Sequence, residues 1–240
     1  MKKLIAVCLV VLSSTAMAKF TNETGLSIIT TGGNTETETY NLKTESKKTW
    51  DKDAVSFGGH YTLGTAGEEN VETVRNWDIF TQYTRSITKK LGAFLGAEFE
   101  GNEFAGYKQR QNYDAGARYQ FIDTDENKFF SELGLRYTIE QTTDTEEQNG
   151  LVRNDTKGNL YLEWEQVLNV NVNYKFWVRY LPNFTRGEDY QINFEPSLNV
   201  TLSKSFSLSL GYTGRYDNQL NPGAEERLDW TYTTSLIAKF

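Results

Sequence analysis

The sequence predicts an all-β fold, a membrane-spanning antiparallel up-and-down β-barrel of about twelve strands. Three observations predict it. Apolar residues recur at every second position in segment after segment. The last segment shows this best: Leu228, Trp230, Tyr232, Thr234, Leu236, Ala238 and Phe240 alternate with Asp229, Thr231, Thr233, Ser235, Ile237 and Lys239. A period of two describes a strand with two unlike faces, and a closed barrel places one face against lipid while satisfying every backbone polar group. The chain also opens on a targeting segment. Finally, the connections between segments alternate between short and long, the pattern of a barrel with tight turns at one membrane surface and longer loops at the other.

Residues 1–18 read as a secretory signal peptide outside the fold. Lys2 and Lys3 form a positive start, Leu4 to Leu12 a short apolar run, and Ala16-Met17-Ala18 a small-x-small cleavage site before Lys19. A membrane-spanning anchor needs roughly 17–25 apolar residues, more than this run supplies. Cys8 is the only cysteine, and with Val7 before it and so short an apolar stretch upstream it does not read as a lipidation site. Residues 19–240 read as one barrel domain without cysteine, and so without disulfide or thiolate chemistry. Leaving out Lys2 and Lys3, 23 of the 25 basic residues remain against 32 acidic ones, a net charge of −9. That sign argues against nucleic acid as a partner. Mean hydropathy is −0.58, and no later stretch is long and apolar enough for a spanning helix. Tyrosine and phenylalanine number 14 each and proline three, which suits long strands with aromatic girdles.

In order, the predicted strands are 24–31, 37–49, 54–64, 72–87, 91–102, 108–121, 128–141, 153–167, 170–181, 190–202, 206–216 and 226–240. Their outward sets include Val55, Phe57, Gly59, Tyr61 and Leu63 in the third strand and Trp77, Ile79, Thr81 and Tyr83 in the fourth. The fifth supplies Leu91, Ala93, Leu95, Ala97 and Phe99, and the seventh Phe129, Leu133, Leu135, Tyr137 and Ile139. The ninth supplies Val170, Val172, Tyr174, Phe176, Val178 and Tyr180. A slip of one residue would turn every one of these inward, so register is strongly specified. An even strand number puts both ends of the domain on one side, with the short turns. That side is expected to be periplasmic, in the outer membrane of a Gram-negative cell.

The inward set is densely charged. The lumen-lining candidates are Glu98, Asp114, Arg118, Glu132, Arg136, Arg179 and Arg215. Either these charges pair and close the barrel, or an excess of acids lines a narrow water-filled pore that favours cations. Twelve strands lie between the eight that side chains just fill and the sixteen that leave a channel. In the pore reading, Glu98 and Glu132 contribute to cation preference.

No catalytic constellation stands out. His60, the only histidine, lies between outward Gly59 and Tyr61 and therefore faces inward, as a hydrogen-bonded lumen residue. Thr62 follows two positions on, without a sequence feature that orients it as a nucleophile. Gly32-Gly33-Asn34-Thr35 reads as a turn, not a phosphate loop. The acidic clusters Glu68-Glu69, Asp144-Thr145-Glu146-Glu147, Glu188-Asp189 and Glu225-Glu226 read as solvated loops, with bridging divalent cations the alternative. No cofactor or metal is expected.

Three stretches carry a family resemblance. They are Gly25-Leu26-Ser27 through Thr37, Glu98 through Arg110 with its aromatic-Ala-Gly turn Phe104-Ala105-Gly106, and Tyr212 through Phe240. Together they resemble the YdiY-like, salt-induced outer-membrane proteins, a family of unknown function. Asn221-Pro222 stands where the family commonly carries Pro-Pro. The resemblance implies an outer-membrane barrel without an established activity, and no catalytic residues transfer. The ending Leu236, Ala238 and Phe240 resembles the signal read by the barrel-assembly machinery. That implies the secretion and assembly machineries as partners, beside outer-membrane lipid and lipopolysaccharide. The functional expectation is a narrow passive channel or a salt- or osmotic-stress envelope protein that is not an enzyme. The alternatives are a lipid-modifying outer-membrane enzyme and a non-conducting structural barrel.

Overall fold

The computed structural model describes residues 19–31, 37–67, 69–143, 150–221 and 226–240. The expected signal peptide, the Gly32–Thr35 turn, the Asp144–Glu147 cluster and Pro222 lie outside the described residues. Twelve strands form one sheet: β1 (Lys19–Thr31), β2 (Thr37–Trp50), β3 (Asp53–Ala66), β4 (Val71–Ser86), β5 (Leu91–Asn102), β6 (Tyr107–Asp123), β7 (Asn127–Thr142), β8 (Val152–Asn169), β9 (Val172–Pro182), β10 (Tyr190–Thr201), β11 (Phe206–Asp217) and β12 (Leu228–Lys239). Each strand pairs antiparallel with its neighbours in sequence, and β1 meets β12 to close a barrel. Both described ends of the chain lie at the rim that carries the short turns, here called the turn end. Lys19 pairs with Thr49 beside the 51–52 turn, and Phe240 exchanges two 3.0 Å backbone hydrogen bonds with Asn22.

The alternation is realised as predicted. Leu95, Leu133 and Leu135 on the outer face are 60%, 66% and 56% exposed, and Trp230 is 63% exposed. An exterior this apolar is stable in hydrocarbon, where lipid rather than protein covers it. Aromatic pairs brace it, including Tyr212 stacked on Trp230 with centroids 5.9 Å apart.

One flank departs from this. On the turn-end half of β1 and β2, between the Phe20–Lys48 pair and the Leu26–Leu42 pair, the outward residues are Asn22, Thr24, Thr44 and Ser46. They hydrogen-bond to one another: Asn22 Nδ2 donates to Ser46 Oγ at 2.8 Å, and the Thr24 and Thr44 hydroxyls lie 2.9 Å apart. Phe20 lies outward on the turn-end side of them, and from Leu26 and Leu42 towards the loop end the flank is apolar. The polar start is why the sequence places β1 at residue 24, whereas pairing begins at Lys19. The other boundaries lie within two residues of the predicted ones, and two of the differences have a clear local cause or extent. Residues 170–171 form the β8–β9 turn, so Val170 caps a turn instead of opening β9. β12 begins at Leu228, two residues later than predicted.

The β5–β6 connection contains a 3-10 turn, Glu103–Ala105, capped by Asn102, whose side chain accepts from the Ala105 amide at 3.0 Å. Gly106 follows at φ 81°, a left-handed conformation that glycine adopts without a Cβ penalty. Inside the barrel, Gly116 of β6 and Gly134 of β7 face each other. A Cβ on either would strike the opposite backbone, and one on Gly116 would also meet the Phe94 ring. The two glycines allow Phe94, only 2% exposed, to lie flat on the wall.

Candidate functional site

The lumen has two unlike walls. Strands β5 to β9 carry a connected network of charges. Arg136 is its hub: its guanidinium donates to Asp114 at 2.9 and 2.8 Å and lies 3.0 Å from Glu98. Asn159 donates to Asp114 at 2.7 Å, and Arg179 approaches Glu98 at 3.9 Å. Nearer the turn end, Arg118 pairs with Glu132 at 3.3 Å while Gln82 donates to the same oxygen at 2.9 Å. Lys175 bridges Glu163 at 3.2 Å and Glu165 at 3.4 Å. Nearer the loop end, Arg110 joins Glu140 at 2.5 Å and Glu100 at 3.3 Å. Glu98, Asp114, Arg136 and Arg179 are thus brought together, Arg118 and Glu132 form a second pair, and Arg215 on β11 joins neither.

Apart from Arg179–Glu98, which spans from β9 to β5, these ion pairs join strands no more than two apart. Buried charges of this kind hold only while each partner is present. Glu98 and Glu132, expected to set ion preference, are instead engaged by arginines.

The middle of the opposite wall, β11, β12 and β1, is made of small polar residues: Ser207, Ser209, Gly211 and Thr213, then Thr231, Thr233 and Ser235, then Gly25 and Ser27; Arg215, Asp217 and Asp229 stand on its loop-end part and the Glu23–Lys239 pair, 3.4 Å apart, on its turn-end part. Inward-facing Asp229 and Thr231 are exposed, and a Cβ on Gly211 would meet nothing nearer than 3.9 Å. One ion pair reaches over this wall, Lys43 of β2 to Glu195 of β10 at 3.2 Å, with the Thr213 hydroxyl donating to Glu195 at 3.0 Å.

Sequence reasoning missed the inward aromatics. Phe130, Tyr161 and Trp177 form a ladder across β7, β8 and β9 with centroids 5.8 and 6.0 Å apart. Arg118 stacks 3.3 Å from the Phe130 ring centre and Arg179 5.2 Å from that of Tyr161, contacts that stabilise by about 0.5–2 kcal/mol each. The signal was present in the runs Phe129-Phe130, Leu160-Tyr161-Leu162 and Phe176-Trp177-Val178, where both faces are apolar.

His60 faces the lumen as expected. Its Nδ1 lies 3.1 Å from Asp78 and its Nε2 2.8 Å from the Thr62 hydroxyl, to which Asn41 also donates at 2.8 Å. Thr62 is therefore oriented after all, by Asn41 of β2 and by His60 of its own strand, and is 4% exposed.

At the loop end, residues 183–189 fold back on β8. Arg186 donates to Asp155 at 3.2 and 2.7 Å and pairs with Asp189 at 3.1 Å, while Asn183 donates to Asp189 at 2.8 Å. Burial alone would lower the proton affinity of Arg186. Its hydrogen bonds to Asp155 and the charge of Asp189 outweigh this and hold the guanidinium above its ordinary value. Asp189, expected in a solvated acidic cluster, is instead buried in this clasp.

Solved structures share the architecture. An outer-membrane channel from Pseudomonas putida F1 matches with a TM-score of 0.51 at 6% identity, over 95% of this chain and 97% of that one. The translocator domain of the autotransporter NalP from Neisseria meningitidis matches at 0.49 and 10%, over 95% and 89%. The NanC porin matches at 0.48 and 9%, over 91% and 97%. At such identities the likeness is one of fold. None of the curated proteins matches the sequence. A family described as "Protein of unknown function, DUF481" matches residues 24–240, consistent with the YdiY-like resemblance, and the chain belongs to that family.

Proposed function

We propose that the protein is an outer-membrane barrel acting as a narrow passive conduit for small polar solutes, with a preference for cations and no catalytic role. In this reading the turn end is periplasmic, and the apolar belt contacts outer-membrane lipid and lipopolysaccharide. The observation that carries it is the division of the lumen. Ion pairs consolidate the β5–β9 wall, leaving a strip of hydroxyls and glycine along β11, β12 and β1 where inward Asp229 and Thr231 are exposed. Asp229 supplies the cation preference. The outward ending Leu236, Ala238 and Phe240 serves as the assembly signal, and Phe240 also zips the barrel shut through Asn22. A physiological role under salt or osmotic stress fits a small, ion-lined passage.

Planar-bilayer recording tests the conduit. Gly211→Trp puts a large ring into the open strip and is expected to cut single-channel conductance severalfold. Asp229→Asn is expected to move the reversal potential in a salt gradient towards zero. Wild-type barrels that insert without current overturn the proposal, leaving a structural barrel.

A second reading, acyl-ester hydrolysis, is favoured by the Asp78–His60–Thr62 chain, which has the order of orienter, base and nucleophile. Thr62 would attack the ester carbonyl while His60 takes its proton and passes it to the leaving alcohol; a water deprotonated by His60 would then release the acyl group as the acid and restore the Thr62 hydroxyl. His60→Ala in the host, followed by mass spectrometry of lipid A, tests it; an unchanged lipid profile removes it.

A further inference from the structure

One row of the lumen is left open between two closed ones. Towards the loop end, Asn193 of β10, Arg215 of β11 and Asp229 of β12 stand side by side as register partners, all facing inward. They present an amide, a guanidinium and a carboxylate on three successive strands. Side chains directly opposite one another in an antiparallel pair start about 5 Å apart at Cβ, close enough to join. Yet none of the three makes a side-chain hydrogen bond or ion pair with a described residue. The rows on either side differ. Two residues nearer the turn end, Glu195 takes Lys43 at 3.2 Å and the Thr213 hydroxyl at 3.0 Å. Two residues nearer the loop end, Gln191 donates to Asp217 at 2.7 Å.

The open row borders a cleft of about 550 Å³ with its solvent mouth, also lined by Glu100, Tyr107, Arg110 and Asp217. The other charges of the cleft are committed. Glu100 accepts from Asn112 at 2.9 Å, from Tyr107 at 3.2 Å and from Arg110 at 3.3 Å, and Arg110 also holds Glu140. Asp217 accepts from Gln191 and from the Gln219 backbone amide at 3.0 Å, neutral donors that leave its negative charge in place. Glu226 and Arg227, adjacent at the rim, offset each other. What remains is one guanidinium facing the cleft with two carboxylates. Two acids against one base draw cations to the mouth, but firm binding asks for more. A simple cation on Asp229 leaves Arg215 unpaired, and a simple anion on Arg215 meets both acids, a like-charge penalty that selects against it. A molecule carrying both signs a few bonds apart satisfies both groups at once.

We infer that the Asn193–Arg215–Asp229 row is a binding station for a small zwitterion of the amino-acid class. The ligand carboxylate takes the Arg215 guanidinium, whose planar fork suits two-point contact with a carboxylate, and the Asn193 amide donates to the same group. The ligand ammonium takes Asp229. The station deepens the conduit reading by naming a class of solute that pauses at the mouth; it rests on the open lumen of that reading but not on current flow.

Three probes of like size test it: L-alanine, which carries both charges, propionate, which carries the carboxylate alone, and ethylammonium, which carries the ammonium alone. Each is titrated against the full barrel in phosphatidylcholine nanodiscs, with saturation transfer to the probe methyl group as the signal and empty nanodiscs subtracted. L-alanine is expected to bind saturably, at least tenfold more tightly than either single-charge probe. Arg215→Met and Asp229→Asn are each expected to weaken L-alanine binding at least tenfold, and Asn193→Ala severalfold. Because none of these side chains is paired with a described residue, the variants are expected to stay folded, checked by the heat-modifiable shift on gels. If Arg215→Met does not fold, Arg215→Gln is read in its place with the same expectation. Wild-type protein without saturable L-alanine binding overturns the inference. So does propionate or ethylammonium binding as tightly as L-alanine, and so does unchanged L-alanine affinity in the Arg215 or Asp229 variant. Wild-type conductance is recorded in parallel. L-alanine binding without current upholds the station and removes the conduit; current without L-alanine binding does the reverse.

Discussion

Replacing Arg136 with methionine removes the hub of the charged wall while keeping most of its volume. The guanidinium is 4% exposed and holds Asp114 through two hydrogen bonds and Glu98 through a 3.0 Å contact. After substitution Asp114 keeps Asn159 at 2.7 Å, and Glu98 keeps Asn112 at 3.3 Å with Arg179 more distant at 3.9 Å. Two carboxylates then face each other with amides as their nearest donors. Breaking a buried pair in this way costs about 3–5 kcal/mol. Arg118→Met is the internal comparison. It forfeits one 3.3 Å ion pair and the stacking on Phe130, but Gln82 still donates to buried Glu132 and the Arg118 side chain is 23% exposed, so the loss is expected to be smaller, about 2 kcal/mol. Urea titrations of barrels folded into phospholipid vesicles measure both, read by tryptophan fluorescence and by the heat-modifiable shift on gels. Adding Asp114→Asn to Arg136→Met is expected to recover part of the loss, because the orphaned charge goes with it. If Arg136→Met is no more damaging than Arg118→Met, ion pairing does not hold this wall and the division of the lumen loses its basis.

Three further outcomes follow from the same geometry. Leu135→Arg places a charge on the lipid face near mid-height and is expected to destabilise the barrel by about 2–4 kcal/mol in vesicle titrations, with a smaller loss in detergent micelles. Gly116→Ala drives a methyl group into the β7 backbone and the Phe94 ring and is expected to cost about 1–3 kcal/mol; Gly211→Ala, with open space around it, is the near-neutral control in the same titration. Arg186→Ala opens the clasp on Asp155 and Asp189 and exposes the 183–189 segment. Chymotrypsin is then expected to cut after Phe184, while the strand core stays folded by circular dichroism.

The strands were legible because lipid enforces the alternation. β5 was read at its observed bounds, since Leu91, Leu95 and Phe99 must face hydrocarbon and Gly92, Gly96 and Glu98 must not. Alternation misled where no bilayer core imposes it. The outward amide and hydroxyls of early β1 read as loop, and Val170, at the tip of a turn, read as strand. The identity of the lumen candidates was also legible, but their partners were not. Glu98 lies opposite Asn112 on the next strand, whereas its cation, Arg136, stands two strands away. That choice depends on the stagger of the closed sheet, which no local pattern encodes.

The hydroxyl-and-amide quartet of Asn22, Thr24, Thr44 and Ser46 makes the hydrophobic girth of the barrel uneven. On that side a polar band separates Phe20 from the apolar residues that begin at Leu26 and Leu42, so acyl chains must shorten, splay or tilt to avoid wetting it. A thinned collar would therefore gather at the β1–β2 flank and not around the whole circumference.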